Sequence, residues 1–156
     1  MSGAKVILLS SSDEKLSLAG KMGVHHLINY RSSPAWESEV LELTNGLGVD
    51  HVVEVVGSDH INRSIEVLAL DGTISLIGLI DGFYGNINTA KIMSKQIRLQ
   101  GIEVGSKEMF TRMNKALDVN QISPIVDKVY AFEDAREALS ALEKGTHFGK
   151  IALAFK

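Results

Sequence analysis

Three consecutive serines and a lysine follow the first apolar run of the chain. The run is Val6–Leu9, and the polar segment Ser10–Ser12 is followed closely by Lys15. Serine hydroxyls, the backbone N–H groups at a helix start and a lysine ammonium group can together bind an anion such as a phosphate. The same segment can instead simply begin a helix, because Ser11 and Glu14 fit the S-x-x-E capping box. The spacing alone leaves both interpretations open.

Short apolar runs alternate with amphipathic segments through the first half of the chain. Three such runs, rich in β-branched residues and leucine, are typical of strands buried on both faces. They are Val6–Leu9, Val52–Val56 and Ile74–Ile80. Between them, Trp36, Val40 and Leu43 recur at helical spacing, and Ser33 and Pro34 predict the start of that helix. The βαβαβ series predicts an α/β fold with a doubly wound, Rossmann-like parallel sheet and helices on both faces.

The last third of the chain predicts further elements of both kinds. The segment QIRLQGIEVG predicts a strand, and apolar spacing over residues 110–117 predicts a helix. A strand over Val126–Phe132, an amphipathic helix over residues 135–142 and a last strand in GKIALAFK follow. We therefore expect residues 123–156 to form a C-terminal strand-helix-strand segment after a larger domain at residues 1–122.

The composition is that of an ordinary globular protein and excludes several classes of function. Apolar residues make up 45% of the chain and charged residues 22%, and the net charge is -3. This charge gives no reason to expect nucleic acid or a membrane surface as a partner. The chain has no cysteine, which excludes disulfides and thiolate chemistry. The start MSGAKVILL lacks the pattern of a secretory signal, so we expect a cytoplasmic location.

Six segments, in order, resemble the medium-chain dehydrogenase/reductase superfamily, which contains the zinc-type alcohol dehydrogenases and the quinone oxidoreductases. They are GAKVILLSSSDEK, MGVHHLINYR, LTNGLGVDHVVEVVG, LALDGTISLIGLIDG, KQIRLQGIEVGSKEMF and YAFEDAREALSALEKGTHFGKIALAF. The resemblance covers nearly the whole chain. It implies the C-terminal, cofactor-binding portion of the family's fold, in which residues 1–122 are a partial dinucleotide-binding domain. It also implies that residues 123–156 pack on a catalytic domain in relatives.

The resemblance implies a set of cofactor-binding residues. The positions that hold the adenosine phosphate in the family are matched by Ser10, Ser11, Ser12, Lys15 and Tyr30. The segment that runs along the cofactor is matched by Val56 and Gly57. The loop near the nicotinamide is matched by Gly78, Leu79 and Ile80. Small polar and basic residues at the second-strand turn admit the 2′-phosphate of NADP, so NADP is the cofactor implied, with NAD as the alternative. These last five residues could also merely end buried strands, where glycine is favoured in any case.

Parts of the family's pattern do not occur in this sequence. No strand with a glycine-rich turn precedes Val6, and GLIDGFYG does not have the G-x-G-x-x-G spacing. Without cysteine, no zinc site of the family's type can form, and the histidines show no metal-binding spacing. We therefore expect no metal and no catalytic residue. A fragment that binds cofactor without turning over substrate is the resulting hypothesis, with a non-catalytic self-associating or binding remnant as the alternative.

The resemblance also bears on assembly. In the family's strand order, the strand that does not occur here lies between the strands near Val6 and Val52. These two strands must then either lie directly beside each other or be covered by another copy of the chain. Each buried aliphatic side chain that is lost from the core costs about 1.5–3 kcal/mol of stability. We expect a homo-oligomer, most simply a dimer. A doubly wound domain for another nucleotide is disfavoured, because no acidic residue stands at the end of the first strand.

Overall fold

Strands and helices alternate along residues 3–155, the part of the chain that this computed structural model describes. The strands are β1 (Ile7–Ser10), β2 (His26–Asn29), β3 (Val49–Glu54), β4 (Leu68–Leu76), β5 (Arg98–Gly101), β6 (Val126–Ala131) and β7 (Lys150–Ala154). The α-helices are α1 (Asp13–Lys21), α2 (Trp36–Leu43), α3 (Ile61–Val67), α4 (Thr89–Ser94), α5 (Lys107–Val119) and α6 (Ala135–Lys144). None of the helices within these residues has the length and apolar character needed to cross a bilayer.

The described chain divides into two compact units, one at residues 3–104 and the other at residues 105–155. In the first unit β1 pairs with β2, and a second sheet has the strand order β3-β4-β5. In the second unit β6 pairs with β7. Every one of these pairings is parallel, and an α-helix lies between each two consecutive strands of the described chain. The predicted α/β fold with parallel strands is confirmed.

Side-chain packing joins the two sheets of the first unit. Within residues 3–104 no hydrogen-bonded pairing connects β1 to β3. Of the two predicted alternatives, direct pairing of these strands does not occur, and cover from another copy of the chain stays a prediction. The two strands contact one apolar cluster instead, whose buried members are Ile28, Trp36, Val40 and Val67. The partly buried side chains of both strands that pack on this cluster are Ile7, Leu9, Val49 and Val52.

A second cluster packs α3 against the three-stranded sheet. Ile61 and Ile65 on α3 pack with Leu68 and Ile74 on β4, and Ile97 beside β5 completes the cluster. Ile65 and Ile74 have no accessible surface. This core holds the ends of β3 and β4 in place below the loops that follow them.

Two predicted helix caps differ from the observed N-cap residues, one by one residue and the other by two. The Ser12 hydroxyl, and not that of Ser11, caps α1 by accepting the Lys15 N–H. Helix α2 begins at Trp36 and has no side-chain cap, whereas Ser33 was expected to cap it. The Ser33 N–H donates to the Asn29 carbonyl in the turn that ends β2, so this residue belongs to the turn.

The second unit is built on one parallel strand pair and its connecting helix. Within residues 105–155, Tyr130 on β6 and Ala138 on α6 are buried. Helix α6 ends at Gly145, whose φ of +63° is the left-handed conformation that favours glycine at a helix end. The rings of Phe132 and Phe155 lie 4.7 Å apart between centroids. This arrangement agrees with the strand-helix-strand prediction for the C-terminal segment.

The C-terminal end of α3 is capped by a lysine from a distant part of the chain. The Lys95 Nζ donates to the carbonyls of Ile65, Glu66 and Leu68 at 3.0, 2.7 and 2.8 Å. Ile65 and Glu66 lie in the last turn of α3 and Leu68 is its C-cap residue, where a helix leaves carbonyls without their full set of backbone partners. Removal of Lys95 from water lowers the pKa of its ammonium group. The lysine thus links α3 to the segment between α4 and β5.

We expect Lys95→Met to lower the free energy of unfolding by about 2–3 kcal/mol, because several carbonyls lose a charged donor. Urea denaturation followed by circular dichroism measures this change. Lys91→Met is the matched control, since Lys91 forms only a half-exposed ion pair with Glu66. It should cost less than about 1 kcal/mol. Equal losses in the two variants would contradict the capping role of Lys95.

Candidate functional site

The carboxyl ends of β1 and β2 bring one predicted group of residues together. Ser10 lies opposite Asn29 in the strand register, and the Tyr30 N–H donates to the Ser10 carbonyl at 3.1 Å. The Ser12 N–H donates to the Ser10 hydroxyl at 3.2 Å, and the Ser12 hydroxyl accepts the Lys15 N–H at 3.3 Å. Ser11 lies between them in the same turn. Four of these five residues are thus connected by hydrogen bonds, and the fifth by chain position.

Both signs of charge are present at this edge. The helix α1 begins here, and its N-terminal end favours negative charge. Asp13 and Glu14 already lie in the first turn of that helix. The Asn29 side-chain amide donates to the Asp13 carboxylate at 2.6 Å, and the Asn29 side-chain oxygen accepts the Arg31 N–H at 3.0 Å. The carboxylate of Asp13 is therefore held by the end of β2.

The carboxyl ends of β3 and β4 bring the second predicted group together. The Asp81 N–H donates to the Val56 carbonyl at 2.9 Å, and the Gly78 N–H donates to the Glu54 carbonyl at 3.1 Å. A Cβ atom on Gly78 would lie only 1.8 Å from the Val55 carbonyl oxygen. A Cβ atom on Gly57 would lie 2.9 Å from the Gly78 carbonyl oxygen. The two loops touch through their backbones, which requires glycine at both positions.

The same two loops present apolar side chains to solvent. Leu79 is 48% exposed and Ile80 is 81% exposed, and Val56 is partly buried behind them. Strand β4 ends at Leu76, earlier than the prediction of a strand through Ile80, because the chain turns away over Val55 at Gly78. An apolar surface with a glycine backbone beside it could lie against a flat ring.

Within residues 3–104, no strand pairing or hydrogen bond joins the two groups. One group lies at the end of the β1–β2 sheet and the other at the end of the β3-β4-β5 sheet. A separate polar groove of about 540 Å³ contains none of the ten predicted residues. Its charged side chains pair with one another, as Arg63 does with Glu37 and Lys91 with Glu66.

A buried carboxylate that the sequence analysis missed lies beneath the second group. Glu54, the last residue of β3, is 2% exposed. Its carboxylate accepts the backbone N–H groups of Val56 and Gly57 at 2.7 and 3.1 Å. It also accepts the Ser64 hydroxyl and contacts His60 Nδ1 at 3.1 Å. Burial alone raises the pKa of Glu54, but these hydrogen bonds outweigh it and lower the pKa to about 2.

Aromatic and charged side chains extend this network toward α2. The His60 ring stacks on Trp36 with the ring centroids 6.0 Å apart, and the Arg63 guanidinium lies 4.8 Å from the Trp36 ring centre. The hydrogen bond from Arg63 lowers the pKa of Glu37. One sequence signal could have found the network, namely a single carboxylate inside the apolar run VVEVV. A charge in such a run is costly unless it is paired.

Comparison with known proteins identifies the family. Residues 1–119 match the profile of the family described as zinc-binding dehydrogenase. The chain belongs to this family. The resemblance to zinc-type alcohol dehydrogenases and quinone oxidoreductases is confirmed. The family consists of dehydrogenases that bind nicotinamide dinucleotides.

Individual relatives agree with the family assignment. The chain is 41% identical over 155 residues to a zinc-type alcohol dehydrogenase-like protein of Schizosaccharomyces pombe, covering 97% of this chain and 45% of that protein. It is 28% identical to quinone oxidoreductase-like protein 2 of Bos taurus, covering 98% and 46%. An alcohol dehydrogenase structure from Sinorhizobium meliloti 1021 superposes with a TM-score of 0.90 at 37% identity, covering 98% and 44%. An NAD-dependent alcohol dehydrogenase structure superposes with a TM-score of 0.87 at 30% identity, covering 99% and 45%.

The chain spans a little under half the length of these relatives. It therefore matches only part of each of these dehydrogenase-like proteins. The family name implies zinc, but no three histidine, aspartate or glutamate side chains among residues 3–155 lie together as metal ligands. These residues do not fit a zinc ion, and we assign no zinc-dependent step to them.

We expect Gly78→Ala to disrupt the contact between the two loops, because its Cβ would overlap the Val55 carbonyl oxygen. Thermal denaturation should show a loss of at least about 2 kcal/mol. Gly101→Ala is the matched control, since a Cβ there meets nothing within 4 Å. It should change stability by less than about 1 kcal/mol. A Gly78 variant as stable as the Gly101 variant would contradict the close backbone approach.

Proposed function

We propose that this chain is the NADP(H)-binding part of an oxidoreductase of the alcohol dehydrogenase and quinone oxidoreductase type. The single observation that carries the proposal is the turn at the ends of β1 and β2. Hydrogen bonds connect Ser10, Ser12 and the exposed Tyr30 there, and Lys15 follows in the first turn of α1. The family membership indicates a nicotinamide dinucleotide as the cofactor, and the residues of the turn favour NADP over NAD.

The chemistry of the turn favours a phosphate over a ribose diol. A carboxylate at the end of the strand would accept hydrogen bonds from both ribose hydroxyls and would repel a 2′-phosphate. The strand ends instead in Ser10, whose hydroxyl can donate, and the Lys15 ammonium can pair with the phosphate charge. The nearest carboxylate, that of Asp13, is held by Asn29. NAD remains the competing cofactor, as the solved NAD-dependent relative illustrates.

The second group would receive the nicotinamide end of the cofactor. Val56 and Gly57 would run along it, and Gly78, Leu79 and Ile80 would form an apolar wall that excludes water from one face of the ring. The bare backbone at the two glycines allows close approach. When bound, the dinucleotide supplies or accepts the hydride. The role of these residues is to bind and orient it.

We propose that the chain does not turn over substrate by itself. Catalysis requires a group that holds or moves a proton at the reacting atom. Among residues 3–155, the wall residues are apolar, and the buried carboxylate of Glu54 is already occupied by hydrogen bonds. The substrate would be an alcohol, a carbonyl compound or a quinone. It would be bound by parts of a dehydrogenase that the matched half does not contain. A self-associating binding domain without a cofactor is the alternative.

Calorimetric titration with NADPH and NADH decides between these functions. We expect NADPH to bind at least about tenfold more tightly than NADH, and Ser10→Asp to weaken NADPH binding by about tenfold or more through repulsion. Ser38→Asp is the matched control, because Ser38 is exposed on α2, and it should leave both affinities unchanged. Absence of binding by either dinucleotide would contradict the proposed function and favour the non-catalytic alternative. Tighter binding of NADH would contradict only the phosphate preference.

We also propose that the chain forms a homodimer through β5. All four residues of this strand are exposed, and within residues 3–104 it pairs only with β4. Such an open edge is a template for pairing with another chain. The segment KQIRLQGIEVGSKEMF, which contains β5, resembles the strand that commonly pairs between subunits in the family.

Size-exclusion chromatography with light scattering should give about twice the chain mass of 16.9 kDa. The Ile102 N–H donates to the Leu76 carbonyl, so the neighbouring Gly101 N–H faces the open edge. Gly101→Pro removes this donor and should shift the mass toward that of a monomer. Gly101→Ala keeps the donor and should leave the dimer intact. A folded wild-type monomer would contradict the proposal.

A further inference from the structure

The bend after β3 has a backbone conformation that must be held from outside. Gly57 has a φ of +80°, and the next residue, Ser58, has a φ of +49°. Glycine adopts a positive φ without strain, so the costly residue is Ser58, whose left-handed conformation persists only where the surroundings determine it. The N–H groups of Val56 and Gly57 also point inward. That of Gly57 is buried, where water cannot satisfy it, and that of Val56 is partly buried.

We propose that Glu54 is the positioning residue that holds this bend. Its Oε1 accepts both inward-pointing N–H groups, at 2.7 Å from Val56 and 3.1 Å from Gly57. This proposal rests on the proposed function, because the bend is the segment assigned to run along the cofactor. Glu54 itself is 2% exposed and would not touch the cofactor.

The opposite side of the carboxylate is anchored to the core. Oε2 accepts the hydroxyl of Ser64, which is 2% exposed on α3, and lies 3.1 Å from His60 Nδ1. The His60 ring stacks on Trp36, which is itself buried. The carboxylate therefore links a strained bend to two packed helices.

An ionised carboxylate suits this position best. All four of its neighbours can act as donors, and a carboxylate offers lone pairs to all of them. A glutamine amide has the same shape but replaces one oxygen with a donor and removes the charge that strengthens each bond. Glu54 thereby sets where Gly57 stands against Gly78, and so sets the shape of the wall that would receive the nicotinamide.

The test compares Glu54→Gln with Ser64→Ala in the full chain. Ser64→Ala removes a partner of the same carboxylate but leaves both bonds to the bend in place. Amide hydrogen exchange, followed by NMR without any ligand, is measured at Val56 and Gly57 relative to Ile65, which reports opening of the core. We expect Glu54→Gln to accelerate exchange of the two bend amides about tenfold relative to Ile65. Ser64→Ala should change that ratio less than about twofold.

The second measurement is the NADPH affinity of the same variants. Glu54→Gln should weaken binding about tenfold, and Ser64→Ala should not, even where the two variants have equal stability. The positioning role would be overturned if the amides of Val56 and Gly57 exchanged at the same rate, relative to Ile65, in both variants. It would also be overturned if both variants bound NADPH with equal affinity. If Glu54→Gln does not fold, Glu54→Asp replaces it. Asp keeps the charge but is one methylene shorter, and is expected to accelerate exchange at the same two amides.

The exchange and affinity measurements together distinguish failure of the proposed cofactor binding from failure of the positioning role of Glu54. Absence of dinucleotide binding by the wild-type chain overturns the proposed function and leaves the exchange result to decide the role of Glu54. Binding by the wild type together with unchanged exchange in Glu54→Gln overturns the positioning role alone.

Discussion

The candidate site depends on a backbone contact between the loops that follow β3 and β4. A side chain at Gly78 or Gly57 would overlap the opposite loop, so the two strand ends can approach only as glycine backbone. Beneath this contact, the Glu54 carboxylate takes up the two N–H groups of the bend. A buried charge is tolerated there because two backbone N–H groups and the Ser64 hydroxyl donate to it. The shape of the apolar wall above follows from these two features.

Parallel pairing explains why both groups of site residues lie where they do. The carboxyl ends of parallel strands meet at one edge of each sheet, and the loops that leave that edge are the usual place for a nucleotide in such folds. Here the edge of the β1–β2 sheet carries hydroxyl and ammonium groups, and the edge of the β3-β4-β5 sheet carries glycine backbone and apolar side chains. This division suits a molecule with a charged end and a flat apolar end.

Local sequence patterns were sufficient for most of the strands and helices, although β2 at His26–Asn29 was not among the predicted strands. They failed where a residue had a partner outside its own segment. Ser33 has the character of a helix cap, yet its N–H serves the turn that ends β2. Helix α4, which Asn88 caps, was not predicted, because its six residues are too few to show a period. Glu54 was missed because its partners, His60 and Ser64, come from α3 and the turn before it.

The sequence by itself determined the parallel α/β class and the family resemblance, and it predicted the serine, lysine and tyrosine group as a cofactor site. Apolar periodicity and short motifs are local properties, and a chain carries them wherever it folds. Tertiary structure alone decided that β1 and β3 share a core without pairing, that Gly57 and Gly78 touch, and that Glu54 is buried. Each of these depends on how separate strands, helices and loops pack together, because the whole fold sets the packing space and the hydrogen-bond partners.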